Sequence, residues 1–265
     1  MPLTLWAQGA RDIRVATIGF PPYGIREQGI TSGIYYEAAN MLVKEAGYVA
    51  TNIIKPYARI ISDLKTGQSD MTIMFKYQEL EQYVTYVAPL PSLKIVVVGL
   101  HFSAFSSINK LKGVRLAYLR GASFSDAIDN DPSVIIHRTT DFLQGVKMLL
   151  AGHMDAIIGP MDPILSTAAK IGLSEDVFGE PLVIDERTPW IQVSNKSLSI
   201  LSPDKLNNVF DDMKKRKVLK KLRKQYLRVR DVSGEWKWFT FQAYQNKKAQ
   251  WCETIWAFLL LTLFI

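Results

Sequence analysis

The chain has 265 residues, of which 48% are hydrophobic and 22% charged, as is typical of a globular protein with a sizeable core. One cysteine, Cys252, excludes an intramolecular disulfide, and the three histidines have no metal-ligand spacing. We therefore expect neither a metal nor a cofactor. The net charge is +7, but the segment from Asp204 to Arg230 alone holds eleven basic and three acidic residues. Since the rest of the chain is balanced, we expect no nucleic-acid binding.

The two ends of the chain differ from the middle. Residues 1–10, MPLTLWAQGA, resemble the last part of a secretory signal, so we expect a partial signal peptide there. At the other end, 255–265 reads IWAFLLLTLFI, and these 11 apolar residues are fewer than the ~20 that span a bilayer as a helix. We interpret them as a truncated membrane anchor or a stray tail, with membrane contact only in the first case. The whole tail, 231–265, is expected to be dispensable for the fold.

Between the ends, short β-rich runs alternate with amphipathic helical runs. Two prolines, Pro21 and Pro22, end the first strand because proline has no N–H to give a sheet. The first set of predicted elements is strand 13–18, helix 33–46, strand 52–54, helix 57–66 and strand 71–75. The second set is strand 114–118, a helix from Ser123, strand 134–136, helix 141–151, strand 155–158 and helix 163–171. Two basic helices follow. The helical spacing of their apolar residues is interrupted near Arg216 and Lys217, which we call the phase break.

Extended runs at 93–99 and 181–193 lie between and after these sets. Two sets of three βα units indicate an α/β protein of two lobes joined by two crossing strands. We expect lobe 1 to comprise 11–98 and 190–230, and lobe 2 to comprise 99–189. Hinges are expected near 98–100 and 185–190, and the sequence shows no internal repeat.

Candidate ligand-binding residues follow the predicted strands, because ligands of open α/β sheets bind at the carboxyl ends of the strands. Aromatic rings that could cover a flat ligand are Tyr23 and Tyr57, with core packing as the alternative. Arg59 and Lys76 could supply positive charge, unless both are ordinary surface residues. Tyr77, the next residue after Lys76, is also a candidate. A predicted helix start offers free N–H groups to an anion at Arg120, Gly121 and Ser123, with plain helix capping as the alternative.

Several segments together resemble the bacterial extracellular solute-binding proteins of family 3, which bind polar amino acids. The segments are IRVATIGFPPYGI, GITSGIYYEAANMLVKEAGY, YARIISDLKTGQSDMTIM, YVTYVAPL, INKLKGVRLAYLRGASF, FLQGVKMLLAGHMDAIIG and LNNVFDDMKKRKVLKKLRKQYL. Each motif alone is weak evidence for the resemblance. All seven occur in the order that the family shows, over residues 12–227, and together they are strong evidence. The resemblance implies a type II periplasmic-binding-protein fold, whose two α/β lobes close on a small ligand. It also implies a periplasmic, monomeric protein whose partner is an ABC transporter permease.

The chain departs from this family at two positions. The family's arginine that holds an α-carboxylate falls on Leu80, and its amino-binding aspartate falls on Pro160, with Asp162 the nearest acid. A desolvated α-carboxylate without a partner would cost several kcal/mol. We therefore expect a small organic anion rather than a standard amino acid, with Pro21, Pro22 and Tyr23 forming one lip of the cleft.

Two other functions stay open on the sequence. The chain could be the ligand-sensing domain of a membrane receptor, which the apolar C-terminus favours. It could also be a dehydratase-like enzyme on the same fold, with Glu79 and Asp162 as acid or base. The sequence contains no Gly-x-Ser-x-Gly elbow, phosphate loop or metal spacing, so we expect no enzyme.

Overall fold

The structure is a computed structural model that describes residues 12–230 and 236–238. The expected signal peptide at 1–10, and the tail apart from 236–238, lie outside the described residues. The described chain divides into two compact units. Unit 1 holds 12–93, Arg120–Ser123 and Glu186–Leu222, and unit 2 holds Lys94–Leu119, Phe124–Asp185 and the described residues from Arg223 onward.

The strands, in chain order, are β1 (Ile13–Ile18), β2 (Ile25–Glu27), β3 (Ile30–Ser32), β4 (Ala50–Lys55), β5 (Met71–Phe75), β6 (Val84–Pro89), β7 (Leu93–Val98), β8 (Arg115–Leu119), β9 (Ile135–Thr139), β10 (Ala156–Pro160), β11 (Leu182–Arg187), β12 (Pro189–Ser194), β13 (Arg228–Arg230) and β14 (Trp236–Trp238). The helices are α1 (Ile34–Glu45), α2 (Tyr57–Thr66), α3 (Asp126–Asp129), α4 (Phe142–Leu150), α5 (Met161–Lys170), α6 (Pro203–Lys215) and α7 (Val218–Tyr226).

Each unit is built on a five-stranded mixed sheet. The order in unit 1 is β4-β1-β5-β12-β6, in which β1, β4 and β5 are parallel and β12 is antiparallel to both of its neighbours. The second sheet has the order β11-β7-β10-β8-β9, with β8, β9 and β10 parallel and β7 antiparallel to β10. In unit 1, α1 and α2 pack apolar faces on the sheet, and the strands β1 and β5 are buried on both sides. Within the described residues no helix is long and apolar enough to cross a membrane.

Most predicted elements agree with the structure. The bounds of β1, α2 and β5 are those predicted, and the phase break lies at Lys217, whose φ is 57°. The helix expected from Ser123 is wrong. The chain turns at Gly121, with φ of 79°, and the four-residue α3 begins only at Asp126 after Ser125. The hairpin of β2 and β3 was not predicted.

A buried aspartate fixes the start of β1 in unit 1. Asp70 is fully buried and accepts hydrogen bonds from the Arg14 amide (2.7 Å), from Nε and a terminal nitrogen of Arg14 (3.1 and 2.9 Å), and from the Ser197 hydroxyl (2.6 Å). The same guanidinium donates to the Gly67 carbonyl. We call this arrangement the arginine bracket; it ties the turn before β5 to the neighbouring β1.

The arginine bracket recurs in unit 2. Asp155 accepts bonds from the amide of Arg115 (2.8 Å) and from its guanidinium (3.0 and 2.6 Å), and Arg115 also reaches the Gly152 carbonyl at 3.0 Å. The register is equivalent too, since the residue after each aspartate pairs with the residue after each arginine. The two units therefore share a local repeat, although the sequence showed none.

We expect the protein to lose stability on acidification. Burial alone would raise the pKa of Asp70, but hydrogen bonds from Arg14 and Ser197 lower it, and the Arg115 side chain lowers the pKa of Asp155. A folded state with depressed carboxyl pKa values binds fewer protons than the unfolded state. The stabilisation from these carboxylates is therefore complete above the pKa of aspartate in the unfolded chain, about 3.9, and is lost as the pH falls through the lower pKa values of the folded state. Urea unfolding at pH 7, 5 and 3 measures this loss.

A matched pair of variants distinguishes the acid sensitivity that the arginine bracket causes from that of other carboxylates. Asp155→Asn is expected to reduce the loss of stability between pH 5 and pH 3, whereas Asp12→Asn, at an exposed position, is expected to leave it unchanged. Identical acid profiles for Asp155→Asn and the wild type would contradict a role of this carboxylate.

Candidate functional site

The carboxyl ends of β1, β4 and β5 meet at one edge of the unit 1 sheet, because these strands are parallel. The antiparallel β12 begins at that edge, where Pro189 pairs with Phe75. Four segments therefore converge there, namely the loop after β1, the start of α2, the residues after β5 and the start of β12. Predicted site residues at this edge are Tyr57, Lys76 and Tyr77, and this edge is the place that a ligand of an open α/β sheet would use.

The ammonium group of Lys76 lies between two aromatic rings. Its Nζ is 3.8 Å from the ring centroid of Trp190 and 4.3 Å from that of Tyr86. The two rings are 5.9 Å apart at 65°. Cation–π contacts of this kind hold a charge in place without neutralising it. Among the described residues no carboxylate pairs with Lys76, so a positive charge is fixed at the end of β5 and is available to an anion.

Two tyrosines beside Lys76 form a buried pair. The hydroxyl of Tyr77 donates to that of Tyr57 at 2.6 Å, and the Tyr57 ring stacks on Phe20 with centroids 6.1 Å apart. Burial, together with the neighbouring phenol of Tyr77, raises the pKa of Tyr57 well above its ordinary value. The Tyr57 phenol therefore stays protonated near neutral pH. The Tyr57 oxygen accepts this bond and keeps its own proton for donation.

The segment Arg120–Ser123 belongs to unit 1 and contacts α2. Gly121 approaches Ala58 so closely that a Cβ there would lie 2.9 Å from the Ala58 Cβ, and its φ of 79° also favours glycine. The Ser123 amide points to the Tyr77 hydroxyl at 3.4 Å. The structure thus brings Gly121 and Ser123 beside the tyrosine pair, but as a turn and not as the predicted helix start. Arg120 is exposed.

Tyr23, which the sequence predicts at one lip of the cleft, is buried in unit 1. Its ring is 1% exposed and stacks on Tyr35 with centroids 4.2 Å apart, while Phe20 meets it edge-on. Its carbonyl accepts the amides of Tyr35 and Tyr36 at the start of α1. Tyr23 therefore fastens the loop after β1 onto α1. Ligand contact by Tyr23 stays a prediction, and it requires the ring to leave this stack.

The other predicted charges already have partners. Arg59 pairs with Asp63 at 2.8 Å and donates to Gln68 at 2.9 Å, and its side chain is 59% exposed. Asp162, in unit 2, is buried and pairs with Arg223 at 2.8 Å. Each of them would have to exchange an ion pair for a ligand, so their ligand-binding roles stay predictions with less support than that of Lys76.

The two positions of the family's amino-acid clamp carry buried apolar side chains. Leu80 is fully buried in the turn after β5, and Pro160 is buried at the end of β10. Neither offers a charge. The sequence reasoning missed Tyr86 and Trp190, because only the pairing of β6 with β12 brings them to Lys76. Within the described residues, no group of histidine, cysteine, aspartate or glutamate side chains is arranged to hold a metal ion.

Comparison with known proteins defines the class to which this architecture belongs. The sequence pattern of the bacterial extracellular solute-binding proteins, family 3, matches residues 13–229, and the chain belongs to that family. The probable amino-acid-binding protein YxeM of Bacillus subtilis (strain 168) is 24% identical over 226 residues, which cover 82% of this chain and 83% of that protein.

Two solved structures show the same fold. A mutant of the arginine-binding protein from T. maritima superposes with a TM-score of 0.70 at 18% identity, covering 81% of this chain and 94% of the other. An ancestral amino-acid-binding protein, a precursor of cyclohexadienyl dehydratase, superposes with a TM-score of 0.68 at 19% identity, covering 81% and 95%. These likenesses confirm the predicted α/β fold of the type II periplasmic-binding class. The family consists of extracellular solute-binding proteins. Membership therefore confirms the prediction that this chain is a solute-binding protein of the transport type.

Proposed function

We propose that the protein is an exported, periplasmic solute-binding protein that captures a small organic anion and delivers it to an ABC transporter. Membership of the family supports solute capture. One observation carries the choice of an anion, namely the Lys76 ammonium held between Tyr86 and Trp190 at the ligand edge of the unit 1 sheet. The protonated phenol of Tyr57 adds a hydrogen-bond donor nearby.

The absent amino-acid clamp supports the same proposal. Leu80 and Pro160 supply neither the cation for an α-carboxylate nor the anion for an α-ammonium group. A standard amino acid would bring both charges into the site, and its ammonium group would approach Lys76. The site therefore favours a ligand that carries negative charge alone.

A dehydratase-like reaction has less support than binding. Its proposed acid or base groups, Glu79 and Asp162, are engaged with Lys65 at 2.6 Å and with Arg223 at 2.8 Å. The likeness to a dehydratase precursor is a likeness of fold, and one fold hosts several functions. A sensing role would use the same anion site, and closure of two lobes around the ligand stays a prediction.

Calorimetry against the twenty standard amino acids and a panel of acetate, succinate, citrate and benzoate tests the ligand class. Loss of one partner of a buried charge pair costs about 2–5 kcal/mol, or roughly 30- to 5,000-fold in affinity. We therefore expect no standard amino acid to bind with a dissociation constant below about 10 μM. Sub-micromolar binding of any of the twenty would overturn the proposed ligand class and leave solute capture itself intact.

A further inference from the structure

Gln192 is a fully buried polar residue of unit 1, on the strand β12 between β5 and β6. Its amide nitrogen Nε2 donates to the Met74 carbonyl at 2.9 Å and to the Phe75 carbonyl at 3.0 Å. The oxygen of the same amide, Oε1, is buried and has no hydrogen-bond donor among the described residues. The opposite orientation of the amide would turn Oε1 toward two carbonyl oxygens, so the two bonds fix which way it points.

The unpaired oxygen of Gln192 needs an explanation. A buried acceptor without a donor lowers the stability of a folded protein, and a methionine of similar length would fill the same space without this cost. The two N–H donors are what methionine would lack. The presence of glutamine at this position is therefore explained by what its donors hold, namely the end of β5.

Three consecutive carbonyl groups at the end of β5 accept hydrogen bonds from side chains. Those of Met74 and Phe75 accept from Gln192, and that of Lys76 accepts from the Arg187 guanidinium at 3.4 Å. Each carbonyl belongs to a planar peptide group, so fixing two successive planes fixes the φ and ψ of the residue between them. The backbone of Phe75 and Lys76 is thus held, and with it the direction in which the Lys76 side chain leaves the sheet.

Gln192 also lies beside the two rings that contact Lys76. Trp190 is two residues earlier on β12 and therefore on the same face of the sheet. The pairing of β12 with β6 shifts by one residue at Val87, so that Tyr86 is the partner of Gln192. Because a shift of one residue moves a side chain to the other face, this bulge brings Tyr86 to the face of Trp190.

We propose that Gln192 is a positioning residue of the anion site, which holds the end of β5 so that the Lys76 ammonium stays between Tyr86 and Trp190. The proposal rests on the proposed function of unit 1, since a charge fixed before the anion arrives is worth more than a mobile one. The alternative is a structural bond that only joins β5 to β12. Such a bond would affect stability alone, whereas a positioning residue also determines where Lys76 lies.

NMR of the full chain with isotope-labelled lysine side chains tests the position of Lys76. Aromatic rings move the signals of protons above their faces upfield, so the Hε signals of Lys76, identified by their absence from Lys76→Met, are expected upfield of those of other lysines. In Gln192→Met, which keeps the length of the side chain without its donors, this upfield shift is expected to be largely lost. Citrate is expected to bind this variant about 10-fold more weakly in calorimetry, as when an outer partner that orients a ligating side chain is removed.

Ser194→Ala is the matched control. Ser194 is a fully buried residue of the same strand and donates to the Leu64 carbonyl at 2.9 Å, so its loss removes a bond of the same kind at another place. We expect lower stability and unchanged Lys76 signals. Unchanged Lys76 signals in folded Gln192→Met, or equal changes in both variants, would overturn the proposal.

Hydrogen exchange of the wild type keeps the test decisive where Gln192→Met does not fold. The side-chain amide protons of Gln192 are expected to exchange far more slowly than those of the exposed Gln78. Equally rapid exchange of the two would overturn the proposal, because the bonds to the end of β5 would then be absent. The Lys76 signals are read without any ligand, so a failure of anion capture itself would leave this test intact.

Discussion

Replacement of Lys76 by methionine is expected to weaken binding of the best anion in the calorimetric panel by roughly 30- to 5,000-fold. Methionine keeps the apolar contact with Tyr86 and Trp190 but removes the charge that these rings hold in place. Because Lys76 has no carboxylate partner in the described part of the chain, its loss leaves no unpaired acid in the protein. Calorimetry of the variant with that anion measures the change.

Lys65→Met is the matched control for this substitution. Lys65 also lies over an aromatic ring of unit 1, at 5.8 Å from the Tyr83 centroid, but it pairs with Glu79. We expect its removal to leave anion affinity unchanged. Unaltered affinity in Lys76→Met, or the same loss in both variants, would contradict the role of the ammonium between the two rings.

Asp70→Ala is expected to lower the free energy of unfolding by about 3–5 kcal/mol. Asp70 is fully buried, and its removal leaves the Arg14 guanidinium, the Arg14 amide and the Ser197 hydroxyl without their acceptor. Buried donors that lose their acceptor cost far more than the net value of the bonds they made. Urea unfolding followed by circular dichroism and by tryptophan fluorescence measures the loss.

The second arginine bracket provides the comparison for this prediction. Asp155 makes the same bonds to Arg115, but its side chain is 38% exposed, so water can replace the lost acceptor. We expect Asp155→Ala to cost about 1–2 kcal/mol. Similar losses for the two substitutions would show that burial does not decide the strength of the bracket.

The sequence predicted those elements whose limits are set locally. Helix α2 runs from Tyr57 to Thr66 as predicted, because Pro56 precedes it and Gly67 ends it in the left-handed conformation with φ of 73°. The short α3 escaped prediction because the turn at Gly121 is set by close packing on Ala58, which lies far away in the chain. A local sequence pattern carries no information on this packing of Gly121 against Ala58.

The candidate site was predicted only in part, for the same reason. Lys76 and Tyr77 stood out because they directly follow a buried strand. The rings that hold Lys76 come from β6 and β12, whose pairing joins residues about a hundred positions apart. Tyr23 was predicted at the lip of the cleft because its loop follows two prolines, and the structure adds that its ring is buried in a stack on Tyr35. Prolines in the sequence show where the chain leaves the strand. They do not show which other side chain an aromatic ring of the loop packs against.

Native mass spectrometry of the protein, purified without unfolding, tests the central claim most directly. A solute-binding protein with a fixed Lys76 ammonium is predicted to retain a small organic anion as a one-to-one adduct. The adduct should be absent from Lys76→Met and present in Lys65→Met. Identification of the retained compound as a standard amino acid, or of an adduct kept equally by both variants, would contradict an anion-binding role for this site.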